Sequence, residues 1–216
     1  MSVPRSATIL IADDHLLLAE LCKSLLETEF NVVGVVRDGH QLVRAAAQLK
    51  PEVIVVDIAM PLLNGLDAGQ RVKEMLPDVK LVYLTMNSDP ELAAEALLRG
   101  ASGYLLKTCA ASELVVAVRA VVRGKSYMCS ALSKDEVNSL VWERKRAATR
   151  DERLTPRQCE VLQLLAEGKV MKEVGDILNM STRTVAFHKY RIMDALGAKS
   201  NAELVRYAVK SHMVSS

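Results

Sequence analysis

The feature that most constrains this chain is a fivefold alternation, in its first half, between short aliphatic runs and longer amphipathic stretches. The runs are Ala7–Asp13, Val32–Val36, Val53–Asp57, Lys80–Leu84 and Gly103–Leu106. Apolar residues on consecutive positions, many of them β-branched, suit parallel strands buried on both faces. Between them, about Leu16–Thr28, Gly39–Leu49, Leu66–Met75, Pro90–Arg99 and Leu114–Val122 carry helical periodicity. Ser88-Asp-Pro-Glu91 has the form of a capping box with proline in the first turn, and Gly100 supplies a stop. Strand–helix repeats of this kind predict an α/β domain over residues 5–125, a doubly wound five-stranded parallel sheet. Its ligands are expected at the C-terminal ends of the strands.

The pattern breaks after Gly124. Residues 126–152 read as an interdomain linker, partly helical over 133–148, with no evident core stripe. The basic run Glu143-Arg-Lys-Arg146 reads there as a solvated face. Residues 153–216 look wholly helical. Thr155-Pro-Arg-Gln158 is a capping box opening a helix that ends at Gly168, and Lys172–Leu178 is a short helix. Thr182–Leu196 is a longer one closed by Gly197, and Ser200-Asn-Ala-Glu203 opens the last. Two helices joined by a short turn within a four-helix unit form a helix-turn-helix. Leu162, Leu165, Val174, Ile177, Leu178, Val185, Ile192 and Leu196 supply its expected core.

Charge divides the same way. Residues 1–125 carry 13 Lys and Arg against 15 Asp and Glu, whereas residues 126–216 carry 15 against 11. An acidic first domain and a mildly basic second suit a regulatory module joined to a nucleic-acid reader. The apolar run near the N-terminus is cut short by Asp13 and Asp14, too early for a signal peptide or a membrane span, so a cytoplasmic protein is expected, with no membrane partner. Cys22, Cys109, Cys129 and Cys159 are far apart and make no C-x-x-C pair. Reduced thiols acting as small apolar filler are expected, not a zinc or disulfide framework.

Three carboxylates fall at strand ends. Asp13 and Asp14 close the first strand and Asp57 closes the third. Strands one and three are neighbours in such a sheet, so these groups converge on one crevice. They repel one another unless a cation lies among them, and an all-oxygen set suits Mg²⁺. One carboxylate is then free to act as a nucleophile toward a phosphoryl group. Thr85 after the fourth strand offers a hydroxyl, and Lys107 after the fifth an ammonium, for the same phosphoryl oxygens. Alone, each residue has a plainer role: Asp13 or Asp14 a helix cap, Asp57 a turn residue before Pro61 and Gly65, Lys107 a surface lysine. Four strand ends in the right order outweigh those roles. His15 beside the two aspartates reads as a local packing or capping residue, since hard Mg²⁺ does not favour imidazole.

The blocks IADDH, VVDIAMPLLNG, YLTM and GYLLK resemble the signature segments of response-regulator receiver domains, over about residues 5–125. The resemblance implies a flavodoxin-like fold and phosphorylation of Asp57 by a histidine kinase. It also implies Mg²⁺ bound by Asp13, Asp14, Asp57 and the Ala59 carbonyl, and a switch pair in which Thr85 turns toward the phosphate as Tyr104 rotates inward. Thr108 departs from the proline many receivers carry after the lysine. A phosphohydrolase is the rival class; such enzymes usually need an acid/base carboxylate two residues after the nucleophile, and Ala59 stands there. A third alternative is a regulator with a vestigial receiver that works without phosphorylation.

Residues 153–209 resemble the LuxR-type helix-turn-helix of the NarL/FixJ subfamily. Arg183, Ala186, Phe187, Tyr190, Arg191 and Asp194 lie opposite the core stripe of the Thr182–Leu196 helix, the element expected in the major groove. The resemblance assigns base reading to Ala186, Phe187 and Tyr190, where many relatives carry lysines. Phe187 suits a thymine methyl and Tyr190 one hydrogen bond; Arg183 or Arg191 can supply what these lack. Lys172, Thr184, Lys189 and Lys199 are candidate phosphate contacts. A four-helix protein-binding bundle would explain the stripes, but not an exposed Phe187/Tyr190 pair amid Arg and Lys. The expectation is therefore a transcription regulator, not a turnover enzyme, catalysing only its own phosphorylation and dephosphorylation. It binds promoter DNA as a homodimer through the Ser200–Lys210 helix, with RNA polymerase a further candidate partner. Its unphosphorylated receiver packs against the helix-turn-helix domain and hinders it.

Overall fold

The computed structural model describes residues 7–147 and 154–214. The expected boundary at 152–153 lies outside the described residues. The first half folds as expected: β1 (Thr8–Ala12), α1 (Leu16–Leu26), β2 (Asn31–Val36), α2 (Gly39–Leu49), β3 (Val53–Asp57), α3 (Gly65–Met75), β4 (Lys80–Thr85), α4 (Pro90–Leu98), β5 (Gly103–Leu106) and α5 (Ala110–Val122). A one-turn 3-10 helix, Lys107–Cys109, joins β5 to α5. All strands are parallel, in the order β2-β1-β3-β4-β5-β6. The sixth strand, β6 (Tyr127–Met128), falls where the linker was expected; its two residues are too few to leave a period-2 signal in the sequence.

Alternation along the strands splits the core in two. Leu10, Ala12, Ile54, Val56, Leu81 and Tyr83 face α2, α3 and α4, while Ile9, Ile11, Val53, Val55, Val82 and Leu84 face α1 and α5. Each of the two clusters buries its side chains almost completely. The chain runs from β1 outward to β2 and then back across to β3, so the order reverses between β1 and β3. That reversal opens the crevice beyond their C-terminal ends. Gly65, at the start of α3, lets the backbone return close to β3: a Cβ there would lie 2.0 Å from the Asp57 carbonyl oxygen.

Several local expectations change. The N-cap of α4 is Asp89, which accepts from the Glu91 backbone N–H at 2.9 Å, and not Ser88. Neither Asp13 nor Asp14 caps α1, whose N-cap is His15; Asp13 instead accepts from the His15 backbone N–H at 2.9 Å. The linker is also more organised than its composition suggests. Helix α6 (Lys134–Ala147) lays Val137, Leu140 and Val141 onto the α4 side of the core. Its Arg144 pairs with Glu91 at 3.0 Å and Glu95 at 2.6 Å, so this member of the basic run is not simply solvated but grips the acidic face of α4, while Glu143 and Lys145 are exposed. Three apolar positions interrupted by charges give a stripe too narrow to register as a periodic core.

The second half holds α7 (Pro156–Ala166), α8 (Met171–Leu178), α9 (Thr182–Leu196) and α10 (Asn201–Lys210). The Thr155–Gln158 capping box forms as expected. At α10 only half of one does: Ser200 accepts from the Glu203 N–H, while Glu203 accepts from the Lys199 N–H. Val161, Leu162, Leu164, Val174, Leu178, Val185, Ile192, Leu204 and Ala208 are the buried core. Leu165 and Leu196 pack at its edge, whereas Ile177 is exposed. Val161 and Leu164 were not among the expected core residues. α7 is buried from Glu160 to Leu164, on more than one face, because it lies between its own bundle and the first domain. Among the described residues, no helix is long and apolar enough to cross a membrane.

Candidate phosphoryl site and nucleic-acid interface

The crevice assembles the groups that strand order places there. Ala12 pairs with Val56 in the β1–β3 register, so the next residues, Asp13 and Asp57, emerge side by side. Both are 1% exposed. The Lys107 ammonium bridges them, 3.0 Å from Asp13 Oδ2 and 2.8 Å from Asp57 Oδ2. Those two oxygens are buried and have no hydrogen-bond partner among the described residues beyond this ion pairing. Asp57 Oδ1 accepts from the Ala59 backbone N–H at 3.2 Å. Burial raises the Asp57 pKa above its usual value, although Lys107 opposes that shift. Burial likewise disfavours the Lys107 charge, but Asp57 and Asp13 outweigh it and raise its pKa.

Asp14 lies at the mouth, more exposed, 2.9 Å from His15 Nδ1. Ligand atoms of Asp13, Asp14, His15 and Asp57 all fall within 4.8 Å of one another. Three carboxylates gathered at the strand ends, two of them buried and facing a single ammonium, fit an oxygen-loving divalent cation. Thr85 is buried at the end of β4, with its hydroxyl accepting from the Asn87 N–H at 3.0 Å. Tyr104 is already turned inward, fully buried, and its hydroxyl has no partner among the described residues.

How the loop after Asp57 meets the second domain is not written in any local sequence pattern. Gln163 of α7 donates from Nε2 to the Met60 carbonyl at 3.2 Å, and its Oε1 accepts from the Asn64 N–H at 2.9 Å. Glu167 accepts from the Leu62 N–H at 3.2 Å. Leu62 holds a left-handed backbone, φ +69°, and packs its side chain against the core of the second domain. A branched residue in that region is strained and persists only where its surroundings hold it. Arg71 of α3 pairs with Glu160, and His212 contacts Asn87 at 2.9 Å and Asp89 at 3.2 Å in the β4–α4 loop. The signal that could have found this contact is the polar pair Glu160 and Gln163 within the apolar stretch of α7, both 1% exposed.

The α8–α9 turn depends on Gly175, where a Cβ would lie 2.6 Å from the Met180 carbonyl oxygen. Ser181 caps α9 by accepting from the Thr184 N–H at 3.1 Å. Phe187 and Tyr190 are 61% and 68% exposed. Arg183, Thr184 and Arg191 are exposed on the same helix, with Ala186 and Lys189 half-buried. Lys172 and Lys199 are exposed at the two flanks of α9. The first domain covers α7 and leaves this face open. The expected hindrance by packing therefore does not involve covering α9.

Residues 9–119 match the response regulator receiver domain family, and residues 152–208 match the luxR family of bacterial regulatory proteins. The chain belongs to the response regulators that join a receiver to a LuxR-type DNA-binding domain, and it is a transcription regulator. Among its relatives is the oxygen regulatory protein NreC of Staphylococcus aureus, 35% identical over 213 residues, spanning 95% of this chain and 98% of NreC. The RcsB response regulator of Salmonella typhimurium matches in structure with a TM-score of 0.63 at 29% identity, over 94% of this chain and 96% of RcsB. RcsB of Salmonella enterica serovar Typhimurium, bound to promoter rprA in the presence of the phosphomimetic BeF3⁻, matches with a TM-score of 0.60 at 27% identity, over 94% and 98% of the two chains.

Proposed function

We propose that Asp57 is the phosphoacceptor of this regulator and that its phosphorylation by a histidine kinase controls DNA binding through α9. The observation that carries this is the buried Lys107 ammonium held between Asp13 and Asp57 at the strand ends. A carboxylate oxygen of Asp57 bonds to phosphorus as the bond from phosphorus to the kinase's histidine nitrogen breaks. Lys107 and the Thr85 hydroxyl take the phosphoryl oxygens, and Tyr104 forms the second half of the switch. Asp13, Asp14, Asp57 and the Ala59 carbonyl are the residues that would hold Mg²⁺, which neutralises phosphoryl charge when bound. Asp57 then loses its phosphate by slow hydrolysis, with no turnover of other substrates.

The β3–α3 loop is the link to the output domain. A phosphoryl group on Asp57 crowds the loop that begins at Ile58, and Met60, Leu62 and Asn64 of that loop are the groups held by α7. Loosening those contacts frees the helix-turn-helix domain from one fixed arrangement, and restraint takes the place of steric cover. The freed domain, taken as residues 153–216 and separated from a 5–125 receiver by the 126–152 linker, pairs through α10 and binds two half-sites of promoter DNA as a cytoplasmic homodimer. Phe187, Tyr190 and Ala186 face bases, with Arg183 and Arg191 beside them. Lys172, Thr184, Lys189 and Lys199 face phosphates, and RNA polymerase is the downstream partner. The RcsB–promoter complex supports this use of the family's second domain.

The test pairs labelling with binding. A radiolabelled small phosphodonor should label the wild type in Mg²⁺ and leave Asp57→Asn at background. Selection of bound DNA from a random pool should recover one motif more strongly after labelling. Label on Asp57→Asn would overturn the site, and an identical motif yield with and without phosphate would overturn the coupling.

A further inference from the structure

Two of the four cysteines, distant in sequence, meet in the fold. Cys109 closes the one-turn helix that begins at Lys107 and stands at the N-cap of α5. Cys129 follows β6 and is fully buried. Glu113 comes up from the first turn of α5 between them. One ligand atom from each of the three lies within 4.8 Å of the others. We infer that Cys109, Cys129 and Glu113 form a binding site for a thiophilic divalent cation of the zinc class.

The geometry and the chemistry agree. Zinc–sulfur bonds of about 2.3 Å in a tetrahedral site place two sulfurs roughly 3.8 Å apart, inside the spread found here. The carboxylate is already oriented by neighbours that bind no metal themselves. Glu113 Oε2 accepts from the Tyr127 hydroxyl at 2.8 Å and the Ser130 N–H at 3.3 Å, and Oε1 accepts from the Ser130 hydroxyl at 2.6 Å. Such outer partners fix a ligand's direction and keep it charged. Ser130, more than the rest, holds the Glu113 carboxyl below its usual pKa. Binding releases the two thiol protons to solvent and leaves the fourth position to water. Cys109 is only half-buried, so an ion can reach the site. The ligand set is the opposite of that in the phosphoryl crevice, where all-oxygen donors select a hard cation.

Co²⁺ serves as the probe because thiolate ligation gives a charge-transfer band that carboxylate sites do not. Full-length protein in a non-thiol reductant, with excess Mg²⁺ to fill the carboxylate crevice, is titrated with Co²⁺ and then with Zn²⁺. The expected result is a band that saturates at one equivalent and is bleached by Zn²⁺. Cys109→Ser should abolish the band, Ser130→Ala should weaken affinity at least tenfold, and Cys159→Ser should leave both unchanged. Absence of the band in the wild type overturns the site, as does its survival in Cys109→Ser. A Cys109–Cys129 disulfide in the reduced protein, seen as a mass two hydrogens short, overturns it equally.

Discussion

The phosphoryl crevice and the outer face of α9 do their work under opposite constraints. In the crevice, Asp13, Asp57 and Lys107 are nearly inaccessible and are held together as one ion cluster. On α9, Phe187 and Tyr190 stand largely in solvent. A buried ionic cluster has few alternative arrangements, so its parts define one chemistry. An exposed face is fixed only in position, and its partner is decided by what docks there. The consequence is an asymmetry in sensitivity: substitutions in the crevice should cost stability and function together, and those on α9 function alone.

The strongest way to break this contrast is Lys107→Ala. It leaves two buried carboxylates facing each other, and removing one member of a buried ion pair costs about 3 kcal/mol. Denaturant unfolding without Mg²⁺ should show a loss of that order, partly restored by Mg²⁺; an unchanged midpoint would mean the crevice is as open as α9. Next comes Gln163→Ala, which strips partners from the Met60 carbonyl and the Asn64 N–H. Leaving such groups unpaired costs about 1–3 kcal/mol. Hydrogen exchange at Asn64 should accelerate, while the isolated fold of each domain persists; protection equal to wild type would remove Gln163 from the coupling.

On the other side of the comparison, Phe187→Ala and Tyr190→Ala should each weaken specific DNA binding about tenfold, a loss of about 1.4 kcal/mol. Their thermal midpoints should match the wild type, and a drop in either would show that α9 is less free than its exposure indicates. The smallest effect concerns His40, whose pKa is lowered first by burial and then by Arg71, with Arg44 and Arg157 adding to it against Asp38. Its Nε2 is buried without a partner among the described residues. A neutral imidazole in the folded protein contributes stability that is present above the unfolded value of about 6.5 and lost as pH falls below it, because the unfolded chain takes up the proton first. His40→Gln should flatten the melting-temperature curve over that range; parallel curves for the two proteins would dismiss the effect.

Much of this was legible in the sequence, and the exceptions share a cause. Strand runs and strand-end residues announce themselves because each element carries its own period and its own polar stop, as at Val53–Asp57. The crevice was therefore readable before any contact was known. The turn and the outer face of α9 were readable for the same reason. What escaped depends on contacts between elements whose local pattern is complete without them. Gln163 and Glu160 look like solvent-facing residues of α7 until a second domain covers them. Val137, Leu140 and Val141 of α6 have too short a stripe to declare a partner. Cys109 and Cys129 show no spacing motif, because it is β6, itself unforeseen, that carries the second toward the first.

The polar character of the α7 contact has a consequence for how the two domains can part. An interface closed by leucines would expose an oily surface on separation and invite aggregation. Glu160, Gln163 and Glu167 meet the first domain through ion pairs and hydrogen bonds. Water can replace each of those polar partners, so that among these contacts only Leu62 brings an apolar side chain into the open. Docking here is a bond the protein can break repeatedly and remain in solution, which suits a contact that must be undone and remade with every signal.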